Sequence, residues 1–90
     1  MHYVYVLKSK IDKQNYVGYT SDLKRRKIEH DLGKVASTEK RRPLDLVYYE
    51  ACRDKNDAIK REKYLKTTYG RRYLRNRLLH DLKEHDYSTG

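Results

Sequence analysis

The chain has 90 residues, which suits a single domain with a small core, because short chains bury a smaller share of their surface than long ones. Hydrophobic residues make up 37% of the sequence, and no apolar stretch approaches the roughly 20 residues of a membrane span. The formal net charge of +9 favours a polyanionic partner such as nucleic acid, although basic proteins of several classes share it. A single cysteine and an N-terminus without signal-peptide features predict a cytoplasmic protein with no membrane contact.

The N-terminal half is predicted to form a hairpin followed by a helix. Continuous apolar and aromatic residues predict a strand over 3–7, and a returning strand follows over 16–19 after a polar turn. Thr20 or Ser21 is the expected cap of a helix that ends at Gly33. The polar, basic stretch that follows is predicted to be the longest loop of the chain.

The C-terminal half is predicted to contain a strand and two helices. The strand covers 44–51, a helix capped by Asp54 or Asn56 runs to about Tyr69, and Gly70 ends it. A last helix is expected over about 71–83. The predicted fold is therefore α+β, with a small three-stranded sheet flanked by helices in the order β-β-α-β-α-α. We expect a single domain over 1–85 and a flexible tail over 86–90.

Glu62 departs from ordinary packing rules. The second helix is predicted to turn one face to the core, formed by Ala58, Ile59, Leu65 and Tyr69. Glu62 lies on that face, where a carboxylate is costly unless it is paired. Two interpretations remain open: a salt bridge with an arginine, which is the commoner arrangement, or a ligand for a metal ion.

The N-terminal half contains further candidates. Arg26 and His30 are neighbours at i, i+4 on the first helix, either as part of a solvated basic face or as a phosphate-binding guanidinium beside a titratable imidazole. Gly18 interrupts the second strand, which marks either a bulge or a close approach by another group. Tyr5 and Tyr16 lie on the paired strands, either as core tyrosines or as hydroxyls that point into one space.

Together these residues form an ordered pattern that resembles the GIY-YIG nuclease superfamily. The resemblance is strongest to its small single-domain bacterial members and to the N-terminal incision domain of the excision-repair nuclease. The pattern consists of Tyr3-Val4-Tyr5, Tyr16-Val17-Gly18, the segments 20–26, 41–44 and 58–66, and His30. The chain departs from the family at Tyr3 and Val4, and Asn76 is the best candidate for a family asparagine near the end of the domain.

The resemblance implies an endonuclease that uses Mg²⁺, with Mn²⁺ as a substitute, on branched or damaged DNA, and DNA repair is one candidate pathway. Glu62 would be the single metal ligand, Arg26 would contact the scissile phosphate, and His30 would assist proton transfer. Tyr5 and Tyr16 would orient or activate the attacking water. We favour Tyr16 as the base with Tyr5 as its hydrogen-bond partner, and we expect nearby cations to lower the tyrosine pKa.

A larger set of side chains is predicted to contact the nucleic-acid backbone, which gives affinity without sequence choice. It consists of Lys24, Arg25, Lys27, Arg41, Arg42, Arg71, Arg72 and Asn76. No separate reading domain is recognisable, so selectivity is expected to come from DNA structure, from an oligomer or from a partner protein. Two other functions remain open: a nucleic-acid-binding module with little or no cutting activity, and a basic domain that binds another protein.

Overall fold

The computed structural model describes residues 1–85, so the predicted tail over 86–90 lies outside the described residues. Its three strands form one antiparallel sheet in the order β2-β1-β3. The strands are β1 (His2–Ser9), β2 (Asn15–Thr20) and β3 (Leu44–Cys52), and the helices are α1 (Leu23–Asp31), α2 (Lys55–Leu65), α3 (Thr68–Arg77) and α4 (Leu79–His85). The α+β class and the order of elements are confirmed. Within 1–85, no helix combines the length and apolar character needed to cross a bilayer.

Strand β1 is central, and both of its faces are buried, as its continuously apolar sequence predicts. Val4 and Val6 point to one face, where they pack with core residues of α2 and α3. Tyr5 and Leu7 point to the other face and pack with Leu44 and with partly buried neighbours that include the first residue of α1. Helices α1 and α2 therefore cover opposite faces of the same sheet.

The cap of α1 differs from the sequence prediction by one or two positions. Asp22 is the N-cap, and its carboxylate accepts a hydrogen bond from the Arg25 backbone N–H at 3.1 Å. Thr20 instead accepts from the Asp22 N–H at 3.1 Å and so supports the capping residue. The predicted stop is confirmed, because Gly33 has a φ of +76°, which favours glycine after a helix.

The boundaries of the last helices were predicted wrongly. Helix α2 ends at Leu65, and Gly70 lies inside α3, where a Cβ would clash with the Tyr64 carbonyl oxygen. Gly70 is needed there for the close packing of α3 on the end of α2. Tyr69, which was predicted to face the core, is 70% exposed. The expected single helix over 71–83 is interrupted at Leu78, which leaves helical geometry although neither glycine nor proline is present.

The connection between α1 and β3 is held against the hairpin turn. It includes a short 3₁₀ turn (Glu39–Arg41) and the buried residues Val35 and Thr38. The Ser9 hydroxyl donates to the Arg41 carbonyl at 2.6 Å, and the Lys10 N–H donates to the Pro43 carbonyl at 2.9 Å. This segment is therefore fixed in place, which matters because Thr38 contacts the candidate active site.

Candidate active site

The candidate site begins where Tyr5 crosses Gly18. The two residues are paired across β1 and β2, and a Cβ added to Gly18 would lie 2.4 Å from both Cζ and Oη of Tyr5. The missing side chain therefore lets the Tyr5 ring lie across β2, which is an edge strand of the sheet. Of the two interpretations of Gly18, the geometry supports the close approach of another group.

The Tyr5 hydroxyl joins two side chains of α1. His30 Nε2 lies 2.8 Å from it, and Arg26 Nε donates to it at 3.4 Å. The expected hydrogen bond between the two tyrosines is not formed: the Tyr5 hydroxyl contacts His30 and Arg26 instead, and the Tyr5 and Tyr16 rings pack at a centroid distance of 6.4 Å. Tyr16 also packs edge-on against His30 at 5.3 Å. Within the described chain, no hydrogen-bond partner is found for the hydroxyl of half-buried Tyr16.

Thr38 is a member of the site that the sequence analysis missed. Its Oγ1 lies 2.7 Å from His30 Nδ1, and both side chains are fully buried. The imidazole is thus bound at both nitrogens, with Tyr5 on one side and Thr38 on the other. No sequence signal distinguishes Thr38 from Ser37, because only the folded connection shows which of the two hydroxyls points inward.

Burial sets the protonation states of this cluster. It raises the pKa of the Tyr5 hydroxyl, and the opposing effects of the hydrogen bond and charge of Arg26 are smaller. Arg26 thus acts on the pKa of Tyr5 in the expected direction, but burial outweighs it and the pKa is raised. Burial, and secondarily the Arg26 charge, lowers the pKa of His30. The hydrogen bond with Tyr5 raises the pKa of Arg26, so the cluster holds a neutral phenol, a neutral imidazole and one cation.

Glu62 lies on α2, on the opposite side of the sheet from α1, and its charge interacts with Tyr5. Its side chain is 20% exposed, and its charge raises the pKa of Tyr5. It forms an ion pair at 3.2 Å with Lys66, the residue that caps the C-terminus of α2, rather than with an arginine. Among the described residues, no three His, Cys, Asp or Glu side chains are placed to hold a metal ion together. One carboxylate fits Mg²⁺, which binds few protein ligands and keeps several waters.

The predicted backbone contacts fall into two groups. Three of the cations have partners within the chain: Lys27 pairs with Asp31 at 2.7 Å, Arg41 pairs with Asp12 at 2.8 Å, and Arg42 donates to the Glu39 carbonyl at 2.8 Å. The remaining members are exposed: Lys24, Arg25, Arg71, Arg72 and Asn76. Contact with nucleic acid stays a prediction for all of them, and the exposed group forms no ion pair with any residue in the described range 1–85.

The pattern in sequence and structure matches known proteins. The family model of the GIY-YIG catalytic domain matches residues 1–76. A UPF0213 protein of Staphylococcus saprophyticus is 45% identical over 67 residues, which cover 73% of this chain and 80% of that protein. A UPF0213 protein of Staphylococcus aureus is 39% identical over 84 residues, which cover 92% and 95% of the two chains.

A solved structure supports the same assignment. The solution NMR structure of a UPF0213 protein from Bacillus halodurans superimposes with a TM-score of 0.52 at 37% sequence identity. The match covers 81% of this chain and 80% of that one. The chain therefore belongs to the GIY-YIG catalytic domain family.

Proposed function

We propose that this protein is a metal-dependent endonuclease that hydrolyses phosphodiester bonds in DNA and selects its substrate by structure rather than by sequence. Membership of the GIY-YIG family implies nuclease activity on a nucleic acid, and nucleases of this family generally use divalent metal ions. The observation that carries the proposal is the hydrogen-bonded chain of Arg26, Tyr5 and His30. Tyr16 packs beside this chain, and the charge of Glu62 acts on Tyr5.

Arg26 is the proposed phosphate-binding residue. It donates from Nε to Tyr5 at 3.4 Å and from Nη1 to Glu29 at 3.1 Å. Nη2 and the second hydrogen of Nη1 are the donors that can bind a phosphate oxygen. These two contacts fix the plane of the guanidinium before substrate arrives. A fixed donor that meets the charge developing on the phosphate is worth more than a mobile one, because it needs no reorganisation during the reaction.

The two tyrosines have different proposed roles because they differ in access. Tyr5 is 1% exposed and has a raised pKa, which suits a neutral phenol that positions Arg26 and His30. Tyr16 is half-buried with an unoccupied hydroxyl among the described residues, so it is the tyrosine that can orient an attacking water. His30 has no solvent exposure, and a proton can reach it from the site through the Tyr5 hydroxyl.

Glu62 is the proposed ligand of the divalent metal. A bound cation would supply positive charge to the phosphate oxygens. Binding would require Glu62 to exchange its contact with Lys66, which is half-exposed and can move into solvent. The chemistry of the site favours Mg²⁺ or Mn²⁺ over Zn²⁺, because no histidine or cysteine set accompanies this carboxylate among the described residues.

Cleavage assays on supercoiled, branched and flap DNA, each with and without Mg²⁺ or Mn²⁺, test this function. We expect metal-dependent cutting of at least one structured substrate by the wild-type protein. Glu62→Gln and Tyr16→Phe should abolish cutting with little loss of stability, whereas Tyr5→Phe should reduce both. Glu39→Gln is the matched control, since it removes the same charge from an exposed carboxylate in the 3₁₀ turn.

Two outcomes would contradict the proposal. The first is cleavage of none of these substrates together with tight, salt-sensitive DNA binding, which would support the binding-module alternative. The second is equal cutting by the Glu62→Gln and Glu39→Gln proteins. That result would remove Glu62 from the reaction and with it the proposed metal site.

A further inference from the structure

A groove leads away from the candidate active site. It has a volume of about 480 Å³ and lies between the β1–β2 hairpin and the helices α3 and α4. Tyr16 and Lys66 line it, and both also contact the site: the Tyr16 ring packs on His30, and Lys66 pairs with Glu62. A polymer held with one phosphate in the site therefore has a continuous path into this groove.

The wall of the groove is strongly basic. Its lining cations include Lys13, Lys66, Arg71 and Arg75, and its lining carboxylate is Asp81. Arg71 and Arg75 are one helical turn apart on α3, and both are exposed. Such a row of cations complements the regularly spaced phosphates of a nucleic-acid strand.

The other arginines of α3 have different surroundings. Arg72 stacks over the Tyr69 ring at 5.8 Å, and Arg77 lies over the Tyr48 ring at 5.9 Å. Neither of them lines the groove. The same helix therefore carries two pairs of arginines with equal charge, one facing the groove and one directed elsewhere.

The groove also has an apolar floor, which a phosphate backbone alone does not need. Leu65 and Leu74 are buried beneath it, while Leu78 is half-buried and Leu82 is 36% exposed. An unpaired nucleotide can place its phosphate on a cation and the flat face of its base on apolar side chains. Duplex DNA cannot do this without flipping a base, because its bases stay inside the stack.

We propose that this groove binds an unpaired DNA strand that continues from the cleavage site. Arg71 and Arg75 contact its phosphates, and Leu78 and Leu82 support its bases. The assignment of that strand as the substrate rests on the proposed endonuclease function. Under this proposal the preferred substrate is DNA with a single-stranded arm, such as a flap or a fork, rather than fully paired DNA.

Binding in EDTA separates this inference from catalysis. Fluorescence anisotropy with the wild-type protein compares a labelled short oligothymidine, a strand of the same length with abasic residues, and a duplex of the same length. We expect the oligothymidine to bind most tightly, and the abasic strand to bind about threefold or more weakly, because it lacks the bases that contact the floor.

Two double variants provide the matched comparison. Arg71→Gln with Arg75→Gln should weaken oligothymidine binding about tenfold and should reduce the slope of log affinity against log salt by about 1.4. Arg53→Gln with Arg77→Gln removes the same charge from two exposed arginines that do not line the groove, and should change affinity less than about threefold. Leu82→Asn should weaken binding of oligothymidine but not of the abasic strand.

The inference is overturned if the duplex binds more tightly than the single strand, if both arginine pairs matter equally, or if abasic and thymidine strands bind alike. These results would leave metal-dependent cutting of DNA untouched. Conversely, groove-dependent binding of a single strand without cutting of any substrate would contradict the endonuclease function and leave the groove assigned to nucleic-acid binding.

Discussion

Replacement of Gly18 by alanine tests how tightly the site is assembled. The added Cβ would lie 2.4 Å from Cζ and Oη of Tyr5, whereas ordinary contacts begin at 3.4 Å, so the ring must move by about 1 Å. The ring is fully buried and its hydroxyl is shared by His30 and Arg26, and the longer of these bonds is already 3.4 Å. We expect a loss of about 1–3 kcal/mol in the free energy of unfolding from this overpacking.

The activity should fall as well. A displacement of about 1 Å in a catalytic group can cost about 100-fold in rate, so we expect single-turnover cleavage by Gly18→Ala to drop by that order. Urea unfolding followed by circular dichroism measures the stability, and cleavage of the best substrate with saturating metal measures the rate. Both quantities should change together, since one displaced ring causes both.

The sign of the change in the free energy of unfolding tests whether the Tyr5 ring lies too close to Gly18 for a side chain there. Without a clash, alanine in place of glycine stabilises a protein by about 0.4–1 kcal/mol, because the unfolded chain has fewer conformations. Repeating the substitution in a Tyr5→Leu background removes the clashing atoms, so the penalty should disappear there. If Gly18→Ala is neutral or stabilising with Tyr5 present, or costs the same in both backgrounds, the close approach described above is refuted.

Three further predictions concern the buried and paired polar groups. Burial holds the pKa of His30 below 6.5, so the unfolded chain takes up a proton before the folded protein does as the pH drops. The free energy of unfolding should therefore fall by up to about 1.4 kcal/mol per pH unit between pH 6.5 and that lowered pKa. An NMR titration of the His30 ring with a midpoint at or above 6.5 would contradict this. Thr38→Val should lower the free energy of unfolding in urea by about 1–3 kcal/mol, because it leaves buried His30 Nδ1 without a partner. Thr38→Ser keeps the hydroxyl and should cost less than about 1 kcal/mol. Equal losses would mean that packing rather than the hydrogen bond matters. Arg61→Met breaks two 2.9 Å hydrogen bonds to Glu50, but both side chains are partly exposed. We therefore expect the free energy of unfolding to fall by only about 1 kcal/mol in the same assay. A loss above about 3 kcal/mol would show that the pair is more than a surface ion pair.

The sequence predicted the fold well where its signals were local. The apolar run of β1, the return of the chain in β2 and the glycine after α1 each depend on residues within a few positions of one another. Gly70 was misread because glycine after a helical pattern usually ends a helix, whereas here it allows one helix to approach the next. That choice depends on tertiary contact, which local pattern does not contain.

The candidate site shows the same division. Family resemblance singled out Tyr5, Arg26 and His30, and the structure brings these three together. It could not reveal Thr38, since a loop hydroxyl gains its role only when the connection is fixed to the hairpin. The guanidinium of Arg26 lowers the pKa of Tyr5, as the sequence predicted for a nearby cation, but the larger effect of burial cannot be read from a sequence, and it leaves the pKa raised.

The complete hydrogen bonding of the buried cluster has a consequence for how the protein can lose activity. Active sites often cost stability, so that disabling them frequently strengthens the fold. Here no buried side-chain nitrogen or oxygen of the described residues lacks a partner, so substitutions at His30 or Thr38 damage fold and activity together. Glu62 is different, because its partner is a half-exposed lysine. Inactive descendants of this protein should therefore arise by change at Glu62 or at the Tyr16 hydroxyl, with Tyr5, His30 and Thr38 retained.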